Sequence, residues 1–259
     1  LQPDATKKNP LQPVHVTPAD AREILGLIDL TSLGDQDTDD SINHLCDKAL
    51  SAPVPVAAAC IYPRFLPVAA KRLQGSGIQL AAVANFPKAD ESLADVVLSI
   101  KHSIRQGATE IDVVFPYSLY LQGNTTAAAE FIRQCKLACP DPLILKVILE
   151  TGALADPAII GAASRDAIIA GADFLKTSTG KIATGATLEA AAVMLLAIHA
   201  AAENSNRVIG FKASGGIREL EQAHDYLTLA KRIMGAQWVS PRTFRFGATQ
   251  LFDTILATL

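Results

Sequence analysis

Gly107-Ala108-Thr109-Glu110-Ile111-Asp112-Val113-Val114-Phe115-Pro116 and Gly171-Ala172-Asp173-Phe174-Leu175-Lys176-Thr177-Ser178-Thr179-Gly180 follow one pattern. Each opens on Gly-Ala, crosses a short run with apolar positions and stops at a proline or glycine. A helical stretch precedes each one, and glycine supplies the positive φ that a helix C-terminus commonly needs. Both segments are therefore read as helix end, tight turn and strand. Asp112 and Lys176 fall at matching strand positions, so both are expected to face the same way.

Outward from these two units the same alternation continues. Strands are expected at Leu27 to Thr31, Val54 to Ile61, Gln79 to Ala84, Glu110 to Phe115, Leu143 to Leu149, Asp173 to Thr177, Arg207 to Lys212 and Thr243 to Phe246. These runs are rich in Val, Ile and other apolar residues and are bounded by Pro and Gly. Helical patterns fall between them, at Asp37 to Ala49, Pro63 to Leu73, Ser92 to Gln106, Thr125 to Ala138, Ala155 to Ala170, Leu188 to Ala201 and Glu219 to Ala230. Thr17-Pro18-Ala19-Asp20 adds a short helix start ahead of the first strand, with a capping hydroxyl and Pro at the first helical position. Strands apolar on both faces that alternate with helices imply a parallel sheet covered by helices. Eight such units predict closure into an α/β (β/α)8 TIM barrel, a fold that commonly takes about 250 residues. An open doubly wound sheet is the alternative, but no Gly-x-Gly-x-x-Gly follows the first strand.

The 259-residue chain is 49% hydrophobic and 19% charged, enough for one large core. The expected organisation is a flexible tail over residues 1–16 and a single catalytic barrel over 17–259. A net charge of −3 gives no global attraction to nucleic acid or membrane, so an anion site has to be local. No apolar run approaches the roughly 20 residues of a membrane span. The polar, proline-rich start has no secretory hydrophobic stretch, and the first residue is Leu rather than Met, which leaves room for a longer natural chain. Cys46, Cys60, Cys135 and Cys139 do not form a disulfide-dense framework, which points to a reducing cytoplasm. His15, His44, His102, His199 and His224 fall in the tail or in helices without ligand spacing, so no metal site and no cofactor are expected.

Charged residues inside apolar strands carry the chemical argument. Asp29, Asp112, Lys146, Lys176 and Lys212 all lie within or at the ends of expected strands. In a closed barrel alternate residues point inward, and chemistry gathers at the C-terminal strand ends. A lysine against apolar walls is costly as an ammonium; burial and a second cation both lower its pKa and free the amine as a nucleophile. A buried lysine also needs a partner, and Asp112 is the natural one. A structural network of inward ion pairs is the competing reading of the same residues. Ser178-Thr179-Gly180-Lys181, Gly215-Gly216-Ile217-Arg218 and Gly247-Ala248-Thr249 follow the last three strands. Their glycines, with helices expected to start at Ile217 and Ala248, suit a phosphate group, although each alone also reads as an ordinary turn.

Motif by motif, from about Leu27 to the C-terminus, the sequence resembles the deoxyribose-phosphate aldolase family. The resemblance rests on Asp29-Leu30-Thr31, Cys60-Ile61-Tyr62-Pro63-Arg64-Phe65, Asn85-Phe86-Pro87, Glu110 to Pro116, Leu145-Lys146-Val147-Ile148-Leu149-Glu150, Lys176 to Lys181, Gly210-Phe211-Lys212 and Arg245-Phe246-Gly247-Ala248. It implies a class I aldolase on a (β/α)8 barrel that reversibly cleaves 2-deoxy-D-ribose 5-phosphate to D-glyceraldehyde 3-phosphate and acetaldehyde, in deoxyribonucleoside catabolism. By position, Lys176 matches the Schiff-base lysine, Lys212 the second lysine that disfavours its ammonium form, and Asp112 the carboxylate that moves protons with a water.

The resemblance also implies partners limited to small aldehydes and phosphosugars, and a possible homodimer. The phosphate is expected at Gly180, Lys181, Gly215, Gly216, Gly247 and Thr249, with Thr179 beside them; Lys181 also reads as a solvated loop lysine. Asp29, Thr31, Cys60 and Lys146 are expected near the substrate. Thr31 and Cys60 would line its acetaldehyde end, Cys60 as a small wall residue rather than a reactive thiol. Three positions depart from the family pattern. Thr249-Gln250 stand where two serines are common, Ala213 stands where proline often follows the second lysine, and the last residues, Ile255 to Leu259, contain none of the tyrosine that many members carry. Either a tail lies beyond this sequence or that proton transfer proceeds differently. Another Schiff-base or phosphosugar barrel enzyme and a non-catalytic metabolite-binding barrel are the competing readings; histidine placement disfavours a metal-dependent aldolase.

Overall fold

Eight parallel strands pair in chain order and the last closes on the first, forming a complete barrel. They are β1 (Ile28–Ser32), β2 (Ala58–Ile61), β3 (Gln79–Ala84), β4 (Glu110–Val114), β5 (Ile144–Ile148), β6 (Phe174–Lys176), β7 (Gly210–Ser214) and β8 (Phe244–Ala248). The computed structural model describes residues 16–205 and 207–259. The expected tail, apart from Val16, and His15 within it lie outside the described residues.

The two faces of the strands bury different chemistry. Ile28, Leu30, Ile111, Val113, Leu145, Val147, Leu175, Phe211 and Phe246 join the large apolar core between barrel and helices. Their neighbours along each strand, including Asp29, Asp112, Lys146, Lys176, Lys212 and Arg245, are also buried, but they meet one another inside the barrel. The only purely apolar interior patch among the described residues is small, Cys60 with Ala81 and Val83. The expectation of strands apolar on both faces therefore holds outside and is corrected inside, where ions fill the middle of the barrel.

The helices follow from local signals. The helix Pro18–Gly26 begins with a complete capping box between Thr17 and Asp20. Ser92 caps Leu93–Arg105, Asp156 caps Pro157–Ala170 and Thr187 caps Leu188–Asn204 through side-chain acceptance of an orphan N–H. Thr125–Ala138 lies where the periodicity places it. Gly171 ends its helix at φ 114°, in the left-handed region glycine accepts readily.

Several boundaries move. β2 begins at Ala58 rather than Val54, because Pro53 and Pro55 have no N–H for a ladder. β7 runs from Gly210 to Ser214 instead of Arg207 to Lys212, since Ala213 and Ser214 pair with Phe246 and Gly247 of β8. The helices expected at Ile217 and Ala248 start later. One begins at Leu220, and β8 itself extends through Ala248, which pairs with Leu30, before a seven-residue helix, Gln250–Leu256. Neither helix N-terminus therefore starts directly after Gly216 or Gly247.

Candidate active site

Parallel register sets the charged residues at related heights. Asp112 is paired with Lys146 across β4 and β5, and Lys176 with Lys212 across β6 and β7. Lys212 is in turn paired with Arg245 on β8. All of these side chains point into the barrel and are almost completely buried.

Asp112 is the hub. Its Oδ1 accepts from Lys146 Nζ at 2.9 Å, and its Oδ2 accepts from both Lys176 Nζ and Lys212 Nζ at 2.8 Å. Lys212 Nζ also donates to Asp29 Oδ2 at 2.6 Å. Beneath this layer, Arg245 joins Asp29 Oδ1 at 2.5 Å and Glu110 Oε1 at 3.0 Å, and Lys146 also donates to Glu110. Cys60 Sγ faces Asp112 Oδ2 at 3.8 Å.

The ion-paired cluster thus holds four cationic side chains (Lys146, Lys176, Lys212, Arg245) and three carboxylates (Asp29, Glu110, Asp112). Lys146 reaches three carboxylates, while Lys212 and Arg245 reach two each. Lys176 has Asp112 alone. One cation is in excess, and Lys176 is the one least held by counter-charge.

Burial acts against every charge here, and the neighbours decide the outcome. Burial alone pushes the Asp112 carboxyl up, but Lys146, Lys176 and Lys212 outweigh it and hold Asp112 well below the usual carboxylate range. Asp29 is likewise held low against burial by Lys212, Arg245 and Lys146. Burial disfavours the Lys212 ammonium, yet Asp112 and Asp29 raise its pKa above that of an ordinary lysine. Lys146 is raised against burial by Asp112, Glu110 and Asp29. Burial pushes the Cys60 thiol up, which keeps it protonated.

Above the cluster a cavity of about 650 Å³ opens at the C-terminal mouth. Its lining brings together Thr31, Lys176, Thr179, Gly180, Lys181, Gly215, Gly216, Gly247 and Thr249 from the sequence-derived candidates. Asp29, Cys60, Asp112, Lys146 and Lys212 are absent from that lining and form the buried layer below it. Lys176 alone belongs to both the cavity wall and the ion network. Ser32, Asp37, Arg218 and Gln250 also line the cavity.

Five candidates have local duties that their sequence position did not reveal. Gly247 lies within β8 rather than in a loop, and a Cβ there would sit 2.9 Å from Lys212 Cε and 2.8 Å from Ser214 Cβ. The missing side chain makes room for the Lys212 stem. Thr249 donates its hydroxyl to Thr31 O at 2.6 Å, tying the β8 end to the β1 end. Thr31 donates its own hydroxyl to Asp29 O at 2.8 Å. Gly215 and Gly216 have φ of 90° and 85°, a backbone that only glycine adopts readily.

Sequence reasoning passed over Glu110, Arg245 and Glu150 as individual site residues. Glu110 and Arg245 carried the same signal as Asp112, a charge inside an apolar strand, and Glu110 lies two residues before Asp112 on the same face. Glu150 offered no such signal, because it stands where a strand ends. No grouping of histidine, cysteine and carboxylate among the described residues has the geometry to hold a metal ion. No helix among them is long and apolar enough to cross a membrane.

Residues 23–249 match the family model described as DeoC/LacD family aldolase. The fold superposes with a TM-score of 0.82 on a protein assigned as a deoxyribose-phosphate aldolase from Toxoplasma gondii ME49, at 25% identity and covering 93% of each chain. A protein given the same assignment from Coccidioides immitis is 30% identical, with a TM-score of 0.78 over 98% of this chain and 92% of that one. The deoxyribose phosphate aldolase of Aeropyrum pernix, 24% identical with a TM-score of 0.71 over 92% of each chain, shares the fold.

Proposed function

Because the chain belongs to the DeoC/LacD aldolase family, we propose that it is a class I aldolase whose Lys176 forms an imine with the substrate. The reaction is the reversible cleavage of 2-deoxy-D-ribose 5-phosphate to D-glyceraldehyde 3-phosphate and acetaldehyde. The observation that carries this reading is the standing of Lys176. It alone among the cluster's cations faces the cavity, and it has a single carboxylate partner.

The chemistry follows from that position. The Lys176 amine adds to the C1 carbonyl, and loss of water leaves an iminium. The C2–C3 bonding pair then moves into the iminium as the C3 hydroxyl gives up its proton. C3 leaves as the aldehyde of glyceraldehyde 3-phosphate, and an enamine remains on Lys176. Protonation at C2 and hydrolysis by water release acetaldehyde and restore the amine. The imine acts as an electron sink, so cleavage avoids a free carbanion.

Lys212 stays protonated beside Asp29 and Asp112 and supplies a fixed positive charge next to the reacting nitrogen. Asp112, within hydrogen-bond distance of Lys176 Nζ, takes part in moving protons on and off that nitrogen, with a water as the mobile carrier. The phosphate is received by Lys181 and the glycine loops at the cavity mouth. The reading extends to a role in deoxyribonucleoside catabolism in the cytoplasm, and to a homodimer.

The test is borohydride reduction in the presence of acetaldehyde, followed by peptide mass spectrometry. An ethyl group on the Lys176 nitrogen is expected. An active preparation that gives no adduct, or gives it on another lysine, sinks the assignment.

A further inference from the structure

Glu150 is fully buried, yet it belongs to no ion pair of the central cluster among the described residues. It also adopts φ 56° and ψ 62°, a left-handed backbone that is uncommon for a residue with a Cβ. Such conformations persist where surrounding structure enforces them, frequently at functional sites.

The enforcing contacts lead to the loop after β6. Glu150 Oε1 accepts from Thr179 N at 3.3 Å, and Glu150 Oε2 accepts from the Thr179 hydroxyl. The Thr179 oxygen in turn accepts from Lys181 N at 3.0 Å. Lys181 then extends across the mouth, where its Nζ donates to Leu33 O at 2.6 Å. Two residues beyond Glu150, a Cβ on Gly152 would lie 2.3 Å from Thr184 O, so the far end of the same loop packs on the same segment. Thr179 therefore spends its hydroxyl proton on Glu150 and an oxygen lone pair on Lys181, and its hydroxyl holds the loop.

We propose that Glu150 is a positioning residue: by gripping Thr179 it fixes the loop that presents Lys181 at the cavity mouth, and so sets the preference for phosphorylated over unphosphorylated substrates. This deepens the aldolase reading and rests on it for the identity of the substrates. Burial pushes the Glu150 carboxyl up, against the two Thr179 donors that favour its ionised form. Removing the charge weakens both of those bonds, while Lys176, which attracts Glu150 only through space, keeps its direct partner Asp112.

The test compares wild type with Glu150→Gln, Thr179→Val and the double variant, using 2-deoxyribose 5-phosphate and unphosphorylated 2-deoxyribose. Loss of a hydrogen bond to a charged group is expected to raise KM for the phosphorylated sugar about tenfold in Glu150→Gln. KM for the unphosphorylated sugar, kcat and the borohydride adduct at Lys176 stay close to wild type in that variant. Thr179→Val raises the same KM, and the double variant adds little, because both act through one contact. An equal fall in kcat for both sugars places Glu150 in the chemistry and overturns the proposal, as does an unchanged KM.

Calorimetric titration with inorganic phosphate keeps the two readings apart. If wild type forms no Lys176 adduct, the aldolase reading fails, and phosphate affinity alone decides the positioning role. Weaker phosphate binding by Glu150→Gln supports it, and equal binding overturns it. If Glu150→Gln does not fold, Thr179→Val carries the same comparison.

Discussion

Lys176 and Lys212 are direct partners in the parallel register of β6 and β7, and both donate to the same oxygen, Asp112 Oδ2, at 2.8 Å. The shared oxygen does not make their surroundings equivalent. Lys212 has a second carboxylate, Asp29, and no place in the cavity wall, whereas Lys176 faces the cavity. A fixed cation and a reactive amine are thus separated by one carboxylate.

Asp112→Asn removes the anion that three lysine nitrogens share. Breaking a buried ion pair from one side costs about 3–5 kcal/mol, so urea unfolding is expected to show a loss of that order. Turnover is expected to fall by about 10²–10⁴ through loss of the proton carrier. Near-wild-type turnover in a folded variant counts against the role given to Asp112.

Gly247→Ala tests the room left for the Lys212 stem. The added methyl meets Lys212 Cε at 2.9 Å and Ser214 Cβ at 2.8 Å, so the lysine or the strand has to shift. Overpacking of this kind costs about 1–3 kcal/mol. Reduced kcat together with reduced thermal stability is expected; a change in phosphate affinity alone would show that Gly247 acts as a loop glycine.

Arg245→Met separates the floor of the network from its reacting end. It leaves Asp29 and Glu110 without their guanidinium partner, at a cost of about 3–5 kcal/mol. Arg245 touches neither Lys176 nor Asp112 by ion pairing, so the folded variant is expected to keep the borohydride adduct at Lys176. A stability equal to wild type contradicts this division.

The pH dependence follows from the signs of the shifts. Asp29 and Asp112 titrate below their ordinary range when folded, so their contribution is in place above about pH 4 and lost as pH falls through the lower folded values. Lys146 and Lys212 titrate above theirs, so their contribution is in place below about pH 10 and lost as pH rises through the higher folded values. The stability difference between wild type and Asp112→Asn is therefore expected to stay level from about pH 5 to 9. Glu150 works the other way: its raised folded value makes stability decline as pH climbs from its ordinary value to the raised one. Denaturant midpoints measured from about pH 3 to 11 check these signs.

Much of this was legible in one dimension, for physical reasons that differ by residue. Gln79 to Ala84 and Thr125 to Ala138 were placed to the residue, because apolar pattern and flanking signals agree there. The charged residues of β4 to β7 stood out because a buried strand seldom carries them. Arg207 to Ile209 misled, since the β7 ladder starts only at Gly210, where a Cβ would collide with the Phe174 ring at 2.4 Å. The tie between Glu150 and Thr179 spans 29 residues and joins two loops, so no periodicity announces it. Nor did the sequence distinguish which lysine meets one carboxylate and which meets three. That depends on stagger around the closed barrel.

The central claim is that Lys176, and no other lysine, forms the imine. Wild type and Lys176→Arg are incubated with acetaldehyde, reduced with borohydride and mapped by peptide mass spectrometry. The expected result is one ethylated site, Lys176, in wild type, with no adduct and no turnover in the variant, since a guanidinium does not form the imine. Substantial turnover by Lys176→Arg, or an adduct carried by Lys146 or Lys212 in active wild type, would contradict the account.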